Sequence, residues 1–138
     1  SHRRLLFTIS EVAMIQRKYL HSKLHGLVVT EAHLHYEGSI VIPKTLLEVS
    51  GIHPGEAINL WNVTSGSRLE TYVLEGEQNG YVSVNGAAAH HFSSGDVVIA
   101  ACFAWSDSLV TPRVVFINSD NSVKEVRGER LPGSGASN

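Results

Sequence analysis

Residues 57–72, AINLWNVTSGSRLETY, are the stretch that decides the fold. Apolar and polar side chains alternate through residues 57–63, which is the period-two pattern of a half-buried strand. A turn signal around Gly66 follows, and a second strand then begins. Alternate positions of that second strand carry Arg68, Glu70 and Tyr72. The pattern predicts a β-hairpin that presents these three side chains on one face and Thr71 on the other.

Short segments on both sides of the hairpin have the same character. They are rich in β-branched residues and are bounded by turn-forming residues. Together with residues 57–63, the predicted strands span residues 24–30, 39–42, 70–74 in the second half of the hairpin, 81–84, 96–103 and 113–117. Seven short strands with Gly-rich turns predict a mainly β protein, built as a barrel or a sandwich.

Helical signals are few. Pro43 suits a first helical turn, the next six residues favour a helix, and Gly51 ends it. A second helical turn is predicted over Ala87 to His90, because three alanines follow the Asn85-Gly86 turn signal.

The patterning divides the chain into three parts. Residues 1–13 share no pattern with the remainder and are interpreted as an N-terminal extension, residues 14–117 as the folded domain. Residues 118–138 lose apolar periodicity and end in PGSGASN, which predicts a flexible tail.

The composition of the chain excludes several classes of function and binding partner. A length of 138 residues fits one domain, and a formal charge of -2 gives no electrostatic reason to expect nucleic acid or an anionic membrane as partner. No apolar run approaches the roughly 20 residues of a membrane-spanning helix. Cys102 is the single cysteine, so an intramolecular disulfide is impossible and a reducing cytoplasm is expected. The eight histidines include His33 and His35 at strand spacing, yet no recognisable zinc motif is present, so no metal is expected.

Two further segments carry candidate chemistry. A Gly38-Ser39 bond enters a predicted strand directly after an aromatic residue and an acid, and residues 84–90, VNGAAAH, form a turn whose small side chains leave backbone N–H groups accessible. Each signal has a plain structural alternative. Gly-Ser pairs often open strands, arginines on strands usually face solvent, and tyrosines usually belong to the core.

Taken together, five ordered blocks resemble the pyruvoyl-dependent aspartate decarboxylase family, from about Met14 to Phe103. The blocks are residues 23–25 (KLH), 34–39 (LHYEGS), 58–72, 84–90 (VNGAAAH) and 95–99 (GDVVI). The resemblance implies a six-stranded double-psi β-barrel with short helices. It also implies decarboxylation of L-aspartate to β-alanine and CO2 for pantothenate and coenzyme A synthesis.

The resemblance further implies a proenzyme that cuts itself between Gly38 and Ser39. Ser39 is then the nucleophile and also the precursor of a covalent pyruvoyl cofactor. The resemblance implies that the keto carbonyl of this group forms a Schiff base with the substrate amine, and that the adjoining amide carbonyl accepts the electrons released as CO2 leaves. Thr71 and Asn85 are the residues expected beside the scissile bond. Gly38 supplies a backbone conformation that other residues avoid.

Substrate-handling roles also follow from the resemblance. Arg68 is the expected anchor for a substrate carboxylate, because its planar fork donates two parallel hydrogen bonds. Lys23 adds a second positive charge, and Tyr72 is the expected catalytic proton donor. The backbone stretch expected against the substrate consists of Gly86, Ala87 and Ala88, and Thr71 is also expected to bind the substrate.

The family assembles as a homotetramer with active sites between subunits, and some relatives use a helper protein for maturation. Ile40 departs from relatives that carry Cys there, at a position away from the expected chemistry. One alternative function stays open: a double-psi barrel binding module that has lost self-processing and catalysis.

Overall fold

The computed structural model describes residues 14–128, and its strands belong to one mixed sheet. The strands are β1 (Arg17–Val28), β2 (Glu31–His33), β3 (Ile40–Pro43), β4 (Ala57–Asn62), β5 (Arg68–Gly76), β6 (Ser83–Asn85), β7 (Val97–Ser106), β8 (Arg113–Ile117) and β9 (Val123–Arg127). Their order across the sheet is β2-β6-β3-β5-β4-β7-β1-β8-β9. The mainly β prediction is therefore confirmed.

Both strand directions occur in the sheet. Antiparallel pairs join β4 to β5 and to β7, and β1 to β7. Parallel pairs join β3 to β5, β2 to β6 and β1 to β8. The described residues contain nine strands, so a closed six-stranded barrel would be the inner part of this sheet, and its closure stays a prediction.

The core lies on one face of this curved sheet. Rows of side chains across the paired strands alternate between the core face and the opposite face, where Lys23, Asn59 and Glu70 are at least partly accessible and Ala101 is buried. Leu24, Ala100 and Leu60 occupy one buried row, and Leu69 continues it. The next row, Lys23, Ala101, Asn59 and Glu70, points to the opposite face. This alternation places the predicted site residues Lys23, Arg68 and Tyr72 on the face away from the core.

Both predicted helical segments are confirmed. Helix α1 spans Lys44–Ser50, buries Leu46 and Leu47, and ends at Gly51, whose left-handed φ of 78° caps it. A 3₁₀ helix spans Gly86–His91 directly after β6. No helix in the described residues is long and apolar enough to cross a membrane.

The structure differs from the sequence prediction at the C-terminal side. The predicted flexible tail begins at residue 118, whereas β9 pairs with β8 and extends the sheet to Arg127. All five side chains of β9 are exposed, so no apolar alternation marks the strand. Residues 1–13 and 129–138, which include the rest of both predicted termini, lie outside the described residues.

Candidate active site

A cleft of about 410 Å³ opens where β3, β5 and β6 come together. Its lining contains most of the predicted site residues, which are Gly38, Ser39, Thr71, Tyr72, Asn85, Ala87 and Ala88. These residues come from three separate segments of the chain. The sheet register therefore assembles a site that the linear sequence keeps apart.

The Gly38-Ser39 peptide lies at the point where the loop enters β3. Ile40 is opposite Val73 on β5 and opposite Val84 on β6. One residue earlier, the same registers set Ser39 beside Tyr72 on one side and Asn85 on the other. Ser39 is 6% exposed, so the residue lies in the wall of the cleft and is largely shielded from bulk solvent.

Two backbone groups surround the carbonyls of this peptide. The Asn85 amide N–H donates to the Ser39 carbonyl oxygen at 2.6 Å. Gly86 approaches the Gly38 carbonyl so closely that a Cβ on Gly86 would lie 3.1 Å from that oxygen. Gly86 has a φ of 70° and Gly38 a φ of 93°, both in the left-handed region that favours glycine. The two glycines thus permit a tight approach that larger residues would resist.

The Asn85 side chain is fixed by its own strand. Asn85 is 6% exposed, and its Oδ1 accepts a hydrogen bond from the Ser83 hydroxyl at 2.7 Å. This bond fixes the orientation of the Asn85 side chain, the amide NH2 of which can donate two further hydrogen bonds.

The predicted site residues of β5 lie on two faces of the strand, as the alternation in the sequence indicates. Arg68 and Tyr72 are exposed on the outer face, and Tyr72 retains 45% exposure. Arg68 packs its guanidinium over the Trp61 ring of β4, with Cζ 4.7 Å from the ring centroid. Stacking uses the flat face of the guanidinium and leaves its N–H edge for hydrogen bonding. Thr71 lies on the opposite face and still reaches the cleft lining.

The cleft also contains residues that sequence reasoning did not assign to it. His91, Leu69 and Glu70 line it as well. His91 ends the 3₁₀ helix that begins at Gly86, so its sequence signal is its position nearly two 3₁₀ turns after the Asn85-Gly86 turn. Strand alternation predicts Glu70 on the same face as Arg68, but the sequence pattern assigns no chemical role to its carboxylate.

Lys23 is separated from the cleft within one chain. The paired rows run from Lys23 through Ala101 and Asn59 to Glu70, which is three strand spacings or roughly 14 Å. Lys23 is absent from the cleft lining, as is Arg68. Arg68 starts the strand that carries Thr71 and Tyr72, whereas Lys23 belongs to a different part of the same outer face.

A second group of titratable side chains lies outside the cleft. His21, Glu56 and Cys102 bring one ligand-type atom each to within 4.8 Å of one another. Partial burial opposes ionisation of Glu56, but hydrogen bonds from His21 and from the His53 amide outweigh it, so the pKa of Glu56 lies below its usual value. Burial, together with the neighbouring Glu56 carboxylate, raises the pKa of the Cys102 thiol far above its usual range. The thiol is therefore protonated at neutral pH.

Comparisons with known proteins all point to one family of enzymes. A family model described as aspartate decarboxylase matches residues 15–124. An aspartate 1-decarboxylase of Legionella pneumophila (strain Paris) is 47% identical over 123 residues, covering 86% of this chain and 92% of the relative. Aspartate 1-decarboxylase 1 of Frankia casuarinae is 48% identical over 115 residues, covering 80% and 75%. The aspartate 1-decarboxylase of Myxococcus xanthus is 43% identical over 124 residues, covering 86% and 95%.

Proposed function

The chain belongs to the aspartate decarboxylase family, and on that premise we propose that it decarboxylates L-aspartate to β-alanine and CO2. The observation that carries the proposal is the cleft in which Ser39, Tyr72 and Asn85 meet. The product serves pantothenate and coenzyme A synthesis, and the enzyme acts in the cytoplasm. The named relatives favour this function over a non-catalytic binding module.

The chain first cuts itself between Gly38 and Ser39. The Ser39 hydroxyl attacks the Gly38 carbonyl carbon, the C–N bond breaks, and the hydroxyl proton ends on the released amine of residue 39, leaving an ester. Loss of the residue 39 α-proton expels the Gly38 carboxylate, and one water then replaces the nitrogen, which leaves as ammonia. The close approach of Gly86 to the Gly38 carbonyl and the available amide NH2 of Asn85 support this site for the attack. Thr71 in the cleft lining is the second polar group assigned to this step.

The surroundings of residue 39 suit the pyruvoyl group that this sequence of steps leaves there. The carbonyl of residue 39 becomes the amide carbonyl of that group, and it already receives the Asn85 N–H. When formed, the group supplies an electron sink for the decarboxylation. The Asn85 N–H then stabilises negative charge on the carbonyl oxygen that it contacts.

The remaining residues bind and orient the substrate. Arg68 holds a substrate carboxylate through its N–H edge while Trp61 fixes the plane of the guanidinium. Gly86, Ala87 and Ala88 offer backbone groups without side-chain bulk beside residue 39. Tyr72, which lines the cleft, delivers the proton that replaces CO2.

Gly86→Ala is expected to slow self-cleavage. The new Cβ would lie 3.1 Å from the Gly38 carbonyl oxygen, so the scissile bond must shift away from its present position. We expect a reduction in cleavage rate of at least about tenfold, because small displacements of reacting groups carry large kinetic costs. The rate is measured by following the two fragments on denaturing gels.

Gly66→Ala is the matched control for that variant. Gly66 has a φ of 86° and no atom within 4 Å of an added Cβ. Both variants should lose about 1 kcal/mol of folding free energy from the left-handed backbone, but Gly66→Ala should cleave at the normal rate. Equal cleavage rates in the two variants would contradict the assignment of Gly86.

Arg68→Lys is expected to lower kcat/KM for aspartate by roughly 10- to 100-fold, mainly through KM. Lysine keeps the charge but loses the paired N–H donors. Steady-state kinetics measure the effect. Arg127→Lys is the control, because Arg127 also stacks on an aromatic ring, that of Phe116, but lies on β9 at the edge of the sheet, five positions from β5 in the strand order. A similar loss in both variants would argue that stacking, and not substrate binding, explains the result.

The enzyme assembles as a homotetramer with sites shared between subunits. The separation of Lys23 from the cleft within one chain supports this arrangement, because a neighbouring copy must then supply the lysine. Co-expression of Lys23→Ala with Tyr72→Phe subunits tests it. Each variant alone should be nearly inactive, while random mixed tetramers should regain up to about a quarter of the wild-type activity. No regain in mixed tetramers would show that Lys23 and Tyr72 act within one chain.

A carbonyl-reactive probe tests the proposed function as a whole. Purified protein should be labelled at residue 39 and should form β-alanine from L-aspartate. The proposal includes a helper protein that accelerates maturation. Addition of cell extract should therefore raise the fraction of protein that the probe labels at residue 39. Protein that is labelled at residue 39 yet forms no β-alanine would overturn the assigned substrate.

A further inference from the structure

His21, Glu56 and Cys102 converge from three different parts of the sheet, outside the proposed catalytic cleft. His21 lies on β1, Cys102 lies on β7, and Glu56 immediately precedes β4. An imidazole nitrogen, a carboxylate oxygen and a sulfur atom therefore meet within 4.8 Å. This set combines the three donor types most common at protein zinc sites.

A β-bulge directs His21 into the cluster. Leu20 pairs with Phe103 and Ser22 pairs with Cys102, so His21 is the extra residue between two consecutive pairs. A bulge re-aims the side chain of its extra residue and is over-represented beside functional sites. In a regular strand, alternation alone would fix the face on which the His21 side chain lies. The bulge removes that constraint.

The existing contacts hold two of the groups in place. Glu56 Oε1 accepts the His53 amide N–H at 3.0 Å, and Glu56 Oε2 lies 2.5 Å from His21 Nε2. The Cys102 thiol donates to the Ala57 carbonyl oxygen at 3.3 Å, which is a weak interaction for a fully buried group. His21 and Glu56 retain 13% and 25% side-chain exposure, so one side of the cluster is open to solvent.

We propose that His21, Glu56 and Cys102 form a binding site for a zinc-like divalent transition-metal ion. Tetrahedral zinc holds such ligand atoms about 3.3–3.7 Å apart. The His21–Glu56 contact must open by roughly 1 Å, which their partly exposed side chains allow. Binding releases the thiol proton to solvent. Neutral His21 coordinates through Nε2 with its ring proton on Nδ1, and water occupies the open fourth position.

Titration of the full-length protein with Co2+ alone tests the proposal. A thiolate bound to Co2+ gives an intense near-ultraviolet charge-transfer band that imidazole and carboxylate ligands do not give. We expect this band at one equivalent, and we expect Zn2+ to displace it. Cys102→Ser should abolish the band, while His21→Gln and Glu56→Gln should each weaken Co2+ binding at least tenfold.

His53→Ala is the matched control, because it removes an exposed imidazole near Glu56 yet keeps the amide that Glu56 accepts. It should bind Co2+ as the wild type does. Absence of the band in wild-type protein would overturn the proposal, as would its persistence in Cys102→Ser or unchanged binding in both the His21 and Glu56 variants. Since the last two variants keep the buried cysteine, the test stands even if Cys102→Ser fails to fold.

Discussion

Ser39→Ala is expected to give a folded chain of full length with no decarboxylase activity. The substitution removes the hydroxyl that attacks the Gly38 carbonyl, and with it the precursor of the electron sink. We expect activity to fall by more than about 10⁴-fold, because the remaining residues bind substrate but provide no acceptor for the electrons of the leaving carboxylate.

The fold should tolerate this change. Ser39 is 6% exposed, and the Asn85 contact uses its backbone carbonyl, which alanine retains. The free energy of unfolding should therefore change by no more than about 1 kcal/mol. Ser22→Ala is the control, because Ser22 is also buried but donates to the Ser50 carbonyl, away from the cleft. Fragments ending at residue 38 in the Ser39→Ala protein would refute the nucleophile assignment.

Tyr72→Phe should separate self-cleavage from turnover. The ring stays at the cleft wall and only the hydroxyl is lost, so cleavage should proceed as in the wild type. Removal of a positioned proton donor lowers the rate of the chemical step by about 10²- to 10⁴-fold. We therefore expect kcat to fall by this factor with little change in KM.

Tyr81→Phe serves as the control for the tyrosine variant. Its hydroxyl donates to Glu31 Oε1 at 3.3 Å outside the cleft, so kcat should stay within about twofold of the wild type. If Tyr72→Phe also keeps its kcat, another group donates the proton. If Tyr72→Phe blocks cleavage, Tyr72 acts before the decarboxylation.

Sequence patterns predicted the strands that bury one face and missed those that do not. The hairpin of residues 57–72 was found because β5 alternates strictly around Thr71, and the structure confirms that alternation. Strand β9 was missed because its side chains are all exposed, and its pairing depends on backbone groups of β8. The start of β1 was missed because the bulge at His21 interrupts the alternation.

The sequence predicts which residues form the site, but not how the sheet arranges them in space. The resemblance supplied the residues, but sheet register brings Ser39 between Tyr72 and Asn85, and register depends on pairings far apart in sequence. The stacking of Arg68 on Trp61 and the cleft position of His91 likewise depend on tertiary contacts. The distance of Lys23 from the cleft could not be read from a motif, because it depends on how many strands lie between.

A denaturing mass spectrum of the purified protein tests the central claim most directly. Self-cleavage predicts fragments of 38 and 100 residues, the larger beginning at residue 39 and lighter by one ammonia than hydrolysis alone would leave. That mass would establish the conversion of Ser39 at the predicted bond. An intact chain that nevertheless forms β-alanine, or a 39–138 fragment with an unmodified serine, would contradict the account.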